Sequence, residues 1–78
     1  MKTYIFPVEL ELEEDGRWSA TVQSLPGCAT WGYSKEKALQ ALQEATHAYI
    51  PTLLEQGRNI PSSKDIQIKE VPTISVTV

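Results

Sequence analysis

Three kinds of chemistry are conceivable from the residue types of this chain, and each makes a demand on the fold. Glu9, Glu11 and Glu13 alternate along one segment, the residue type that holds metal ions for phosphodiester cleavage. Two-metal hydrolysis needs carboxylates converging on ions about 3.5–4 Å apart, whereas alternate residues of a strand lie about 6.6–6.8 Å apart. Partners would have to come from Glu36, Glu44 or Glu55 on a later helical segment, or from Glu70. No predicted strand contains an aspartate, so the acidic run reads as a solvated face. Cys28, the only cysteine, would need a base beside it to act as a nucleophile. The only histidine, His47, sits between Thr46 and Ala48 with no sign of proximity to it. Cys28 therefore reads as a small buried hydrophobe. Tyr4, Trp18, Trp31 and Tyr33 offer rings on which bases stack, but such tracks carry lysines and arginines, and the second and third strands hold only Arg17. Trp18 and Trp31 are expected in the core. No catalytic residue, metal ligand or cofactor is assigned, and a metal-dependent nuclease is the weakest of the functional readings.

The elements that must position these residues follow from periodicity. In TYIFPVELELEE, Tyr4, Phe6, Val8, Leu10 and Leu12 share one parity and the glutamates the other, the pattern of a half-buried strand. Pro7 lacks an N–H and suits an edge or a bulge. Asp15-Gly16 marks a hairpin turn. The second strand, RWSATVQS, puts Trp18, Ala20 and Val22 inward and Ser19, Thr21 and Gln23 outward. Leu25-Pro26-Gly27-Cys28 reads as a type II turn, with Pro presetting φ and Gly accepting a positive one. A third strand, CATWGY, groups Ala29, Trp31 and Tyr33 on the inward face.

From Ser34 the period changes. Ala38, Leu39, Ala41, Leu42, Ala45, Ala48, Tyr49 and Leu53 recur at helical spacing. Ser34 is the expected N-cap and Gly57 the terminator. Pro51 predicts a kink or break near Ile50. After a polar connection, Ile74, Val76 and Val78 alternate with Ser75 and Thr77 as a fourth strand whose start Pro72 limits. The expected class is α+β, in the order β-β-β-α-β. It comprises a three-stranded antiparallel meander, one helix on one face, and a fourth strand that, after a helical crossover, can lie parallel to a meander strand, most simply the first.

The 78 residues allow one domain, 1–78, and no second. So small a domain hides only about 60% of its unfolded surface, so a homo-oligomer, dimer or tetramer, is expected. The net charge of −3 repels phosphate backbones, which argues against direct nucleic-acid binding and suits a basic protein partner. No run approaches the ~20 apolar residues of a membrane span, and Pro7 and the glutamates interrupt any leader-like segment. A cytoplasmic location is expected.

The pieces Asp15-Gly16, Trp18, Leu25-Pro26-Gly27-Cys28, Thr30, Gly32, Ser34 and Ala38 occur in an order and spacing that resemble the HicB-type antitoxin family. Gly57 and Ile60-Pro61 are similar to that family's helix end and its continuation. The resemblance covers roughly residues 3 to 62 and implies a partial ribonuclease H-like fold. It also implies a partner, a small basic HicA-type toxin that cleaves mRNA and is neutralised by occlusion. Many members add a C-terminal DNA-binding domain, which has no counterpart here before Val78, so a stand-alone member is expected. The resemblance assigns Asp15, Gly16, Trp18, Pro26, Gly27, Cys28 and Gly32 to the fold. The outer sheet face, Glu9, Glu11, Glu13, Thr21 and Gln23 with Ser19 and Thr30, is the expected partner surface. Ile74, Val76 and Val78 are the expected oligomer contact. The alternative is an orphan homo-oligomer of structural or regulatory role, without a toxin.

Overall fold

The computed structural model describes residues 3–60 and 72–78. Five strands and one helix follow in order: β1 (Thr3–Pro7), β2 (Glu9–Leu12), β3 (Trp18–Thr21), β4 (Ala29–Gly32), α1 (Lys35–Glu55) and β5 (Thr73–Thr77). The α+β class and the meander stand as expected, but the first strand is two. β2, β3 and β4 form one antiparallel sheet, and β1 pairs separately with β5. The division falls at Val8, after the residue with no N–H to give to a ladder. Val8 N–H instead donates to Pro72 O at 2.9 Å, carrying the β1–β5 pairing one residue further.

β5 is antiparallel to β1, with Tyr4 opposite Val76 and Phe6 opposite Ile74, not parallel as the crossover argument had it. The crossover rule constrains only a connection that returns to the end at which the earlier strand began. The chain from Glu55 to Thr73 is long enough, at up to about 3.3–3.6 Å per residue, to reach either end.

Apolar parity places the core between sheet and helix. Tyr4 and Phe6 are buried from β1, Val8 from the junction after it, Ala20 and Val22 from the β3 segment, and Ile74 and Val76 from β5. Leu12 shares the inward parity but is exposed, because it lies towards the hairpin end. That hairpin closes with Gly16 N–H on Glu13 O and Glu13 N–H on Arg17 O. At the next turn Cys28 N–H donates to Leu25 O at 3.0 Å, and Gly27 has the positive φ of 84° that a type II turn needs.

The helix begins as its sequence dictates. Ser34 is extended, and its side chain accepts the Lys37 N–H at 3.1 Å. Ser34→Ala should cost about 1 kcal/mol, read as a lower denaturant midpoint with an unchanged slope. At the other end Gly57 N–H donates to Leu54 O and Arg58 N–H to Leu53 O, the paired bonds of a Schellman ending. The break expected at Ile50 does not occur; α1 is continuous through Pro51. Pro51 and His47 are both on the exposed side, so the carbonyl Pro51 leaves unbonded faces water, while buried Ile50 and Leu53 hold the helix down on either side. The buried stripe is Ala38, Leu42, Thr46, Ile50 and Leu53. Ala45 and Ala48, read as core-facing, are exposed, and Thr46 takes their place. Its hydroxyl lies 3.0 Å from Cys28 Sγ, so the buried polar group is satisfied.

Candidate functional site

No described element covers the side of the β2-β3-β4 sheet away from α1, and register decides what it carries. Glu9 pairs with Thr21, and Thr21 with Ala29; Glu11 pairs with Ser19, and Ser19 with Trp31. Opposite residues of an antiparallel pair share a face. The outer face therefore has an acidic row on β2, short polar side chains on β3 and an aromatic row on β4 that continues to Tyr33.

This reverses the inward assignment of Trp31. Its side is half exposed, 52%, and Tyr33 is exposed at 72%. Thr30, expected outside, points in and donates its hydroxyl to Ala38 O at 3.1 Å. The signal that gives the correct parity was in the turn. Val22 N–H donates to Cys28 O, so inward Val22 makes Cys28, Thr30 and Gly32 inward and Trp31 outward. Trp18 keeps its inward side, packed at the core margin with the Lys35 ammonium 4.8 Å from its ring centre.

The exposed aromatics are held rather than loose. Trp31 and Tyr33 meet edge to face with centroids 5.4 Å apart, and the Arg17 guanidinium lies 4.9 Å over the Trp31 ring. Arg17 is oriented in turn by Asp15, with Nε 2.6 Å from Oδ2. The Asp15 carboxyl is held below its ordinary value, first by the backbone N–H of Arg17 and then by the guanidinium. Arg17's charge is thus matched locally, which leaves Glu9, Glu11 and Glu13 to set the sign of the face. Gln23 donates its amide to Glu9, and the Ser19 hydroxyl reaches Glu11 O at 3.5 Å.

The structure brings Glu9, Glu11, Thr21 and Gln23 onto this one surface, with Glu13 exposed at the hairpin mouth. Ile74 and Val76 go elsewhere. They are 3% and 1% exposed in the core of their own chain, with Val78 packed against its edge. Their side chains are thus not free for an oligomer contact. Cys28 is buried and its hydroxyl neighbour is Thr46, while His47 is exposed on the helix. His47, Glu44, Ser75 and Thr77 line a groove between α1 and β5, but no hydrogen bond joins any two of them. Among the described residues no group of three or more His, Cys, Asp or Glu could hold a metal ion. Glu70 and Pro61 lie outside the described residues. No described helix is long and apolar enough to cross a membrane.

Comparison with known proteins adds to this geometry. The profile of a family described as HicB_like antitoxin of bacterial toxin-antitoxin system matches residues 6–73. A UPF0150 protein of Thermoplasma acidophilum is 39% identical over 56 residues, which are 72% of this chain and 81% of that one. Among solved structures, the N-terminal domain of the Burkholderia pseudomallei antitoxin HicB is similar with a TM-score of 0.66 at 21% identity, covering 95% of this chain and 96% of that one. A chain of a HicA3 and HicB3 toxin-antitoxin complex is similar with a TM-score of 0.58 at 20% identity, covering 94% and 95%. At those identities the two structures speak for the fold.

Proposed function

The chain belongs to the HicB-like antitoxin family, and from that premise we propose that it is a binding module rather than an enzyme, one that neutralises a small basic toxin of the HicA kind by occlusion. It works in the cytoplasm, with residues 1–78 as one domain and as a homo-oligomer, a dimer or tetramer. The partner surface is the outer sheet face: Glu9, Glu11, Glu13, Thr21 and Gln23, together with Trp31 and Tyr33.

The observation that carries this reading is the pairing of an acidic row with an oriented aromatic row on one exposed face. Carboxylates complement a cationic surface that binds RNA, steering the encounter and fixing its register. An exposed indole already held by neighbours loses little freedom on binding, which is what a central anchor of an interface requires. The family's HicB_like antitoxin description and the fold shared with a chain of a HicA3–HicB3 complex support the partner class.

Co-expression with the small basic protein encoded beside it is the test. A stable purified complex and restored growth are expected. An inert mixture with every neighbouring small basic protein would defeat the reading. The orphan homo-oligomer is the second reading, favoured by the small size of the domain; it predicts self-association with no toxin bound.

A further inference from the structure

We propose that Arg17 is a built-in competitor for the Trp31 ring: in the free chain its guanidinium caps the indole, and in the complex an arginine side chain of the basic partner takes that place. The inference rests on the partner proposed above and names the group that the aromatic anchor receives. Register brings the pieces together. Trp18 lies opposite Leu12 and Gly32. Arg17, one residue earlier, accepts the Glu13 N–H on its carbonyl, and alternation turns its side chain to the outer face with Ser19. There the guanidinium sits 4.9 Å from the centre of the Trp31 ring, and Tyr33 meets the same indole edge to face. The ring therefore already holds a guanidinium, supplied by the chain itself.

This contact is built to be exchanged. The Arg17 and Asp15 side chains are 43% and 51% exposed. A cation–ring contact open to water is weak and strengthens once water is excluded, as it is when a partner surface closes over the ring. Arg17 also keeps a charge partner after leaving the indole. Asp15 binds its Nε at 2.6 Å and its backbone N–H at 3.0 Å, so the displaced side chain stays paired at the hairpin turn. The surrounding charge selects what arrives. Arg17–Asp15 is the only ion pair among the described residues, so Glu9, Glu11 and Glu13 have no described cation bound to them. Glu11 lies across Ser19 from Trp31, two strand spacings or about 9.5–10 Å away. A basic segment can thus lay one arginine on the ring and a second cation on the acidic row. A planar guanidinium stacks on an aromatic face better than an ammonium does, which favours arginine over lysine at the ring.

Amide NMR titrations with a hexa-arginine peptide test the exchange on four chains: native, Arg17→Gln, Trp31→Leu and both substitutions together. Neither residue belongs to the core, so helical circular dichroism should be retained in all. Shifts of the β3 and β4 amides are expected, with binding about threefold tighter in Arg17→Gln than in the native chain. That gain should vanish in the Trp31→Leu background, which separates release of the ring from the loss of one positive charge. A gain of equal size without Trp31 overturns the proposal, as does weaker binding by Arg17→Gln or the absence of shifts on β3 and β4. Any of these alongside a stable native toxin complex overturns the exchange alone. A failed co-expression defeats the proposed partner, while the peptide titration still decides the exchange.

Discussion

A Gly32→Ala chain is expected to lose about 3 kcal/mol of stability, at the upper end of what overpacking costs. The added Cβ would lie 2.6 Å from Ala38 N, 2.9 Å from the Lys37 carbonyl carbon and 3.0 Å from Lys37 Cβ. The first two are backbone atoms of the first helical turn. They cannot move freely, because Lys37 N–H is held by the Ser34 side chain and Ala38 N–H by Ser34 O. Relief would also pull Ala38 O away from the Thr30 hydroxyl. A domain of this size is expected at the low end of the usual range of about 5–15 kcal/mol of net stability, so this loss is a large share of the total. Denaturant unfolding should show a much lower midpoint with the slope unchanged. Gly27→Ala is the contrast. Nothing lies within 4 Å of its added Cβ, and only the positive φ is penalised, at about 1–2 kcal/mol. Equal losses at the two sites would show that the helix–strand approach is not as tight as its distances.

The second large effect is on binding. Trp31→Ala combined with Glu11→Lys should raise the dissociation constant of a complex with a HicA-type toxin by about a hundredfold or more. Truncating an aromatic anchor alone is worth about 2 kcal/mol or more at such sites, and reversing the facing charge adds repulsion where attraction was. Both residues sit on the outer face, Glu11 and Trp31 flanking Ser19 across three strands. Neither fills the core, so thermal stability should change little. The charge component should appear in the association rate and fade as salt rises. Leu54→Ala serves as the control, an exposed apolar residue of similar accessibility on α1. Calorimetric titration with folded variants decides it. Unchanged affinity in the double variant would move the partner surface off this face.

Much of the architecture could be read from local pattern. The Pro26-Gly27 turn, the Ser34 cap and the Gly57 ending depend on backbone requirements that few residues meet, and the structure has them all. The buried alternation of Tyr4, Phe6 and Val8 was equally plain, since one face of a strand must be apolar when the other is wet. The aromatic half of the candidate site was misplaced for a physical reason. In CATWGY both parities contain side chains acceptable to a core, so alternation alone could not choose between Thr30 with Gly32 and Trp31 with Tyr33. Size favoured the tryptophan; the approach of α1, which only a glycine admits at position 32, decided against it. On the helix, Ala38 is buried as its spacing predicts, but Ala45 and Ala48 are exposed and Thr46 is buried, its hydroxyl paired with the buried Cys28 across the interface.

By itself, then, the sequence determined the family, the turns and the element order apart from the division of the first strand at Val8, because these rest on residues adjacent along the chain. The family profile over residues 6–73 agrees with that reading. Tertiary structure decided which face Trp31 occupies, that β5 runs against β1, and that α1 passes unbroken through Pro51. Each of those is settled by what lies across a contact: an opposing strand, a helix turn, or the buried side chains flanking a proline. Contacts between distant residues are fixed by packing, which no local period records.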